Sequence, residues 1–370
     1  MRILFAGGGT AGHINPALAI ANYICEKEES EIRFVGTAEG LEAELIPRLG
    51  HELSLIKIHG FERKLNAQNF KNIFELPKSI SASKKIIRDF KPDIVIGTGG
   101  YVSGPVLYAA SKLGIPTLIH ESNAYPGVTT KILSGHVDTV ALGSPAAEKY
   151  LKKYNNLLKT GNPVRPSILS TGEFEARRRL GLDERPFLVF FGGSLGARDF
   201  NAAVADFIMT EAGKNRYQII MGTGKFHQYD TVIEKFKSAG FDLDKHKDIS
   251  VCEYIYDMDV VMSAADLVIS RAGASTLSEL TALGKPSILV PSPYVTANHQ
   301  EHNARAIEDA GGALVILEKD LSAKTLSEAI HGLTDDKQKL ISMKKASKSV
   351  GTVTATDEIY KEAKRLVSQQ

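Results

Sequence analysis

Cysteine is nearly absent: Cys25 and Cys252 are the only two in 370 residues. They stand too far apart for the close pairs that hold zinc, and two are too few for a disulfide framework. A reducing compartment and two buried thiols are expected. No stretch approaches the roughly 20 apolar residues that span a bilayer, and the apolar run at residues 3–6 breaks at Gly7, Gly8 and Gly9, too early for a signal peptide. The chain is therefore expected in the cytoplasm, with any membrane contact peripheral. A charge excess is missing too. Lys plus Arg number 45 and Asp plus Glu 43, a net +2, so no basic footprint for nucleic acid is present and an anionic ligand must be met locally. Two nucleotide fingerprints are also lacking, since no Gly-Lys-Ser/Thr follows a glycine turn and no full GxGxxG occurs. That argues against kinases, ATPases and dehydrogenases.

What is present fits an α/β protein of about two domains: 43% hydrophobic residues, 24% charged and 32 glycines. Short β-rich runs at residues 3–6, 31–35, 93–96, 117–120 and 139–141 alternate with amphipathic stretches, which implies a mostly parallel sheet covered on both faces. The rhythm restarts at residues 187–191, 217–221, 249–251, 267–269, 287–290 and 313–316, and predicts a second sheet. The restart is an internal echo. Residues 3–6 lead into Gly8-Gly9-Thr10-Ala11-Gly12, and residues 188–191 into Gly192-Gly193-Ser194-Leu195-Gly196. The segment 160–166, with Pro163 and Pro166, breaks periodicity, so domains of 1–162 and 163–349 are expected. A last helix carries an apolar stripe of Ile359, Ala363, Leu366 and Val367, and the first domain is where a helix of about 350–370 would return.

A glycine turn between strand and helix suits phosphate, because the backbone can approach closely and the helix start offers unpaired N–H groups. A tight packing turn would look the same. A third such turn, Gly97 to Pro105 with Gly99, Gly100, Tyr101, Ser103 and Gly104, follows the strand ending at Ile96. Open α/β sheets bind ligands at that edge. His13 follows Gly12 at a helix start, where the dipole disfavours imidazolium; a neutral imidazole can take a proton from an acceptor hydroxyl, or merely cap the turn. His120-Glu121-Ser122-Asn123 ends another strand. Asn123 could bond a sugar hydroxyl or amide, and Glu121 could orient a neighbour or serve as an alternative base, although such residues also close turns. Densest is Ser270 to Glu279, again strand, small-residue turn and helix. There Arg271, Ala274, Ser275 and Thr276 suit a diphosphate and Glu279 the vicinal hydroxyls of a ribose, with capping by Ser275 or Thr276 as the plain alternative. Asp257-Met258-Asp259 imitates a metal motif, but its setting before a helix argues against one, and no metal or cofactor is expected.

Taken together and in this order, GGGTAGHINPALAIA, GTGGYVSGP, HESN, GNPVR, FFGGSLGAR and RAGASTLSE resemble the MurG family across nearly the whole chain. That family transfers N-acetylglucosamine to lipid I in peptidoglycan synthesis. The resemblance implies a GT-B fold, two Rossmann-like doubly wound parallel-sheet domains facing a cleft, and inverting transfer from UDP-N-acetylglucosamine to form lipid II. Thr10, Ala11, Gly12, Asn123 and Arg165 would meet the donor, Ser194 its diphosphate, the Ile255 main chain its uracil, residues 274–276 and Glu279 its phosphate and ribose, and Gln300 its sugar. His299 stands where the family commonly has a first glutamine of a pair, so the choice between His299 and Gln300 stays open. The first lobe's turns, with Gly9, Gly99, Gly100, Tyr101, Ser103 and Gly104, would face the lipid pyrophosphate. Phe70, Ile73, Phe74 and Ile80 share a helical face with Arg63, Lys64, Lys71, Lys78, Lys84 and Lys85 around it, as an element resting on the cytoplasmic face of the membrane would; a core-facing helix with solvated lysines is the other reading. A related diacylglycerol glycosyltransferase, a sugar-nucleotide epimerase and a non-catalytic nucleotide-sugar sensor are the competing functions.

Overall fold

The computed structural model describes residues 1–59, 67–193, 195–224, 227–295 and 298–369, with the side chains of residues 11, 67–74 and 166 set aside. The chain forms two compact units, Met1–Val164 with Thr352–Gln370, and Arg165–Gly351.

The first unit runs β1 (Arg2–Ala6), α1 (Ala11–Lys27), β2 (Glu31–Gly36), α2 (Glu42–Arg48), β3 (Glu52–Leu55), α3 (Ala67–Phe90), β4 (Ile94–Gly97), α4 (Gly100–Lys112), β5 (Thr117–Glu121), α5 (Val128–Leu133), β6 (Thr139–Leu142) and β7 (Leu157–Leu158). Among the described residues these strands make one parallel sheet in the order β3-β2-β1-β4-β5-β6-β7. The second unit runs α6 (Glu173–Arg179), β8 (Phe187–Phe191), α7 (Arg198–Glu211), β9 (Gln218–Gly222), α8 (Gln228–Ser238), β10 (Ile249–Cys252), α9 (Met258–Ala264), β11 (Leu267–Ser270), α10 (Ala274–Leu283), β12 (Ser287–Leu289), α11 (His299–Asp309), β13 (Ala313–Val315), α12 (Ala323–Thr334) and α13 (Lys337–Ser349). Its parallel sheet has the order β10-β9-β8-β11-β12-β13. Both sheets are doubly wound.

Central strands are apolar throughout because helices cover both faces. In β1, Ile3, Leu4, Phe5 and Ala6 are all buried, and the period of two splits them. Leu4 and Ala6 join Val95, Val102 and Val106 in one cluster. Ile3 and Phe5 pack on the other face with Ile14, Ala17, Ile20 and Ile24 of α1. The same cluster takes Ile359, Ala363 and Leu366 of α14 (Ala355–Ser368), so the terminal stripe docks beside α1. Full burial of each such Leu or Ile side chain stabilises by about 1.5–3 kcal/mol. Glu362 fixes the register of that docking: buried, it accepts from Thr139 and Asn156.

Three expectations need correction here. The strands β3 and β7 escaped the sequence pattern because they are edge strands, one half-buried and without clean alternation and the other two residues long. The thiols are not buried: Cys25 is exposed and Cys252 partly so. The buried stripe of α1 runs through Ala17, Ile20, Ala21 and Ile24, and position 25 turns off it by one helical step. Ile80, expected toward a membrane, packs against the core of the first unit with Ile86 and Ile87. The side chains of Phe70, Ile73 and Phe74, and residues Arg63 and Lys64, lie outside those described. No helix among the described residues is long and apolar enough to cross a membrane.

Candidate functional site

In a doubly wound sheet the strand order reverses at one point, and loops leaving the carboxyl ends of the two flanking strands open a crevice there. In the first sheet the flanking strands are β1 and β4; in the second they are β8 and β11. Three of the four loops that follow are the glycine turns after β1, β4 and β8, and the fourth is the Arg271-Ala272-Gly273 turn before α10. The helices that begin there have no side-chain N-cap: Thr10, Gly99, Ala197 and Gly273 stand at the cap positions of α1, α4, α7 and α10. α12 and α13 are capped by Ser322 and Asp336, but α5, α6, α8, α9, α11 and α14 also lack a side-chain cap, so what marks the starts of α1, α4, α7 and α10 is their place at the switch points and the small residues around them. Open helix starts keep their N–H groups and dipole available to an anion.

His13 sits half-buried in the first turn of α1. Its Nδ1–H donates to the Thr98 carbonyl at 3.1 Å, and a carbonyl can only accept. The tautomer is thereby set, and Nε2 carries the lone pair. The imidazole rests on the β4–α4 turn: a Cβ on Gly99 would lie 2.7 Å from His13 Nδ1, and one on Gly100 would lie 2.5 Å from the Gly8 carbonyl oxygen. Both glycines have positive φ, 98° and 76°, so the turn that seats His13 needs glycine for shape and for room. Burial holds the His13 pKa below the ordinary histidine value, against the opposing pull of Glu121, the Thr98 carbonyl and Glu42. A neutral base with a free Nε2 is the result.

Glu121, at the end of β5, uses both carboxylate oxygens on the loop that follows. Oε1 accepts from the backbone N–H and the side-chain amide of Asn123 at 3.0 and 3.1 Å, and Oε2 from Gly127 N–H and Thr130 Oγ1 at 2.9 and 2.6 Å. Glu121 therefore fixes the Asn123 loop, and its charge bears on His13 through space. His120 is buried, donating from Nε2 to the Gly161 carbonyl at 3.2 Å.

His120 makes a prediction about stability. Burial pushes its pKa down to about 4, against the Gly161 carbonyl and Glu121 and aided by His13. The unfolded chain binds the proton below about pH 6.5 and the folded chain only below about 4, so stability falls as pH drops through that window, by about 3 kcal/mol. Urea unfolding at pH 7 and pH 4.5 should show this loss in the wild type and a loss smaller by that amount in His120→Gln. An equal loss in both proteins would contradict it.

Two residues expected to touch pyrophosphate turn inward. Ser103 is fully buried, and its hydroxyl accepts from Gly99 N–H at 3.1 Å while lying 2.6 Å from the Ala6 carbonyl, tying the turn to β1. The Gly9 N–H donates to Glu42 Oε2 at 2.8 Å. Glu42 escaped the sequence reading, as did Thr37 and Thr98, which bond Glu42 and His13. Its signal was the pair Gly36 and Gly40 just ahead of an acidic residue that opens a helix, a pattern that also describes an ordinary turn.

In the second unit, Gly193 has φ 95° with open space over its Cα, which lets a ligand approach the backbone; Ser194 lies outside the described residues. Ile255 is buried and packs on Gly222, whose Cβ would meet it at 3.1 Å. Arg271 turns away from the open start of α10. Buried, its guanidinium donates to the carbonyl oxygens of Val290 and Pro291 and pairs with Glu318 at 2.6 Å. It braces three loops instead of offering a free cation. Among the described residues the capping alternative for α10 does not occur: Ser278 Oγ bonds back to the Ala274 carbonyl and the buried Ser275 Oγ has no partner. Glu279 Oε1 accepts from Arg165 Nε at 2.7 Å, so these two predicted donor residues meet directly. Gln300 is held by its carbonyl oxygen, which accepts from Ser292 N–H at 2.9 Å. Asp257 ends in the turn before α9.

Two Rossmann-like sheets, each with uncapped, small-residue helix starts at its switch point, make up the architecture of the GT-B glycosyltransferases. Residues 3–142 match the glycosyltransferase family 28 N-terminal domain and residues 187–363 the family 28 C-terminal domain. A UDP-N-acetylglucosamine–N-acetylmuramyl-(pentapeptide) pyrophosphoryl-undecaprenol N-acetylglucosamine transferase of Acetivibrio thermocellus is 50% identical, over 100% of this chain and 99% of its own. One from Bacillus cereus is 45% identical over the whole of both chains. The chain belongs to the MurG family of glycosyltransferases. In three dimensions it is similar to MurG of Acinetobacter baumannii, with a TM-score of 0.77 at 26% identity over 98% of this chain and 99% of that one. The UDP-GlcNAc 2-epimerase of Neisseria meningitidis shares the fold, with a TM-score of 0.68 at 15% identity over 99% and 100%.

Proposed function

We propose that this chain is an inverting glycosyltransferase that moves N-acetylglucosamine from UDP-N-acetylglucosamine to the C4 hydroxyl of the muramoyl sugar of lipid I, giving lipid II. The observation that carries the reading is His13, whose Nδ1–H is tied to the Thr98 carbonyl so that Nε2 is an acceptor at the switch point of the first sheet. As the C4 oxygen attacks the anomeric carbon, Nε2 takes its proton. The bond from that carbon to the β-phosphate oxygen breaks, and UDP leaves with the electron pair. Attack from the face opposite the leaving group inverts the centre. The negative charge growing on UDP is met by the starts of α7 and α10.

In this reading the second unit binds the donor. Ser194 and the 274–276 turn meet the diphosphate, the Ile255 main chain reads uracil, Glu279 accepts from the ribose hydroxyls, and Gln300, already fixed through its carbonyl oxygen, turns its amide N–H groups to the sugar. Arg165 holds Glu279 before the donor arrives. Thr10, Ala11, Gly12 and Asn123 meet the transferred sugar from the first unit, and the start of α4, with Gly99, Gly100, Tyr101 and Gly104, takes the lipid pyrophosphate. The protein works at the cytoplasmic face of the membrane, where α3 carries Phe70, Ile73 and Phe74 near the exposed Lys78 and Lys85. A relation to epimerases of the same fold does not favour epimerisation, since the full-length relatives at 45–50% identity are named as transferases.

UDP release measured with three mixtures tests the reading. Release should occur with a lipid I analogue, and neither with diacylglycerol nor without acceptor. Folded protein that releases UDP only with diacylglycerol, or converts the donor alone, would overturn it.

A further inference from the structure

A fully buried carboxylate lies under the glycine turn that precedes His13. Glu42, the first residue of α2, is fully buried. Its Oε2 accepts from Gly9 N–H at 2.8 Å, and its Oε1 accepts from the N–H and the Oγ1–H of Thr37, both at 2.9 Å. Three glycines make room for this one carboxylate: a Cβ on Gly8, Gly36 or Gly40 would lie 2.5, 2.4 or 2.2 Å from its side chain. The far side of Gly9 is closed by Tyr101, whose ring a Cβ there would meet at 2.9 Å.

A glycine turn after a strand is the kind of backbone cradle that takes an anion. Here the anion belongs to the protein. We propose that Glu42 is a positioning residue that fills the anion seat of the first glycine turn, so that this turn serves to hold His13 and takes no substrate phosphate. The Gly9 N–H has one hydrogen, and it is spent. A phosphate at that seat would have to displace a buried, triply bonded carboxylate or sit against it as a like charge, which low-dielectric surroundings penalise heavily. The lipid pyrophosphate is then left to the start of α4 alone. In its catalytic consequence this rests on the transferase reading above; in its structural content it does not.

The charged and polar groups facing His13 are Glu121 and His120 from β5, Glu42 from α2, and the Thr98 carbonyl from the β4–α4 turn. Glu42→Gln removes one of two negative charges that raise the His13 pKa and sets an amide donor against either Gly9 or Thr37. In that variant kcat should fall by about tenfold or more, with KM for both substrates within about threefold. The acidic limb of the kcat–pH profile should move to lower pH, while Glu42→Asp keeps it near the wild-type position. An acidic limb that stays in place in Glu42→Gln, or an acceptor KM that changes more than kcat, overturns the proposal. Should Glu42→Gln fail to fold or the protein lack transferase activity, the wild type decides: a crystal structure with inorganic pyrophosphate bound should keep the Gly9 N–H on Glu42 Oε2, and a pyrophosphate oxygen bonded to Gly9 N–H refutes the filled seat.

Discussion

His13→Ala should lower kcat by about 10²–10⁴-fold, the usual worth of a positioned general base, and leave the KM for the donor within about twofold. The expectation rests on which atoms are committed. Nδ1 is spent on the Thr98 carbonyl, and that bond holds the ring whether or not a donor is bound, so removing the ring costs proton transfer and little binding. Burial, the largest influence on His13, holds its pKa below the ordinary histidine value, which fixes the sign of the pH dependence. Activity should be flat through neutral pH and fall only below about pH 6.5, as Nε2 is protonated. Steady-state kinetics in both substrates across pH check both points. A donor KM that rises while kcat holds would make His13 a binding residue, and a residual rate near that of the wild type would remove it from the chemistry.

Glu279→Ala should act on the other substrate, raising the KM for the donor and the dissociation constant of UDP by about 10–100-fold, the loss expected for hydrogen bonds to a charged acceptor. Glu279 is mostly buried and its carboxylate is aimed by Arg165 at 2.7 Å, while Arg165 itself is 47% exposed at the side chain and free to adjust. Glu279→Gln keeps an acceptor oxygen but loses the ion pair, so it should fall between alanine and wild type. Calorimetric titration with UDP checks the series. Equal UDP affinity in Glu279→Ala and wild type would assign the pair to folding alone.

The parallel sheets and their glycine turns were legible because buried central strands read as continuous apolar runs and the turns follow them immediately. Their shared place at the switch points needed the strand order, which no local pattern contains: β4 lies beside β1, with Ala6 paired to Gly97, although a whole α–β–α–β–α run intervenes, and β11 lies beside β8 in the same way. His13 and Glu121 could be picked out because one stands in the first turn of a helix and the other ends a strand, and Glu279 because it lies one turn into the helix that follows a small-residue turn. The role of Glu121 could not, since its partners Gly127 and Thr130 stand at the N-cap and in the first turn of α5, beyond a loop whose path depends on it. Arg271 illustrates the opposite error. An arginine beside a small-residue turn suggests a phosphate contact, yet its partly buried partner Glu318 stands 47 residues further on, and only the fold brings them together. Glu42 is the deepest case, because an acidic residue opening a helix ordinarily faces water, and three glycines, two in loops and one ending β2, leave room for this one to turn inward.

The central claim is a sugar transfer with inversion, and the proton spectrum of the product of UDP-N-acetylglucosamine and a lipid I analogue tests it most directly. The account predicts a disaccharide whose new anomeric proton shows the large trans-diaxial coupling of a β linkage, with correlation from that carbon to C4 of the muramoyl ring. A small coupling characteristic of an α linkage, a bond to any other hydroxyl, or conversion of the donor with the acceptor untouched would contradict it.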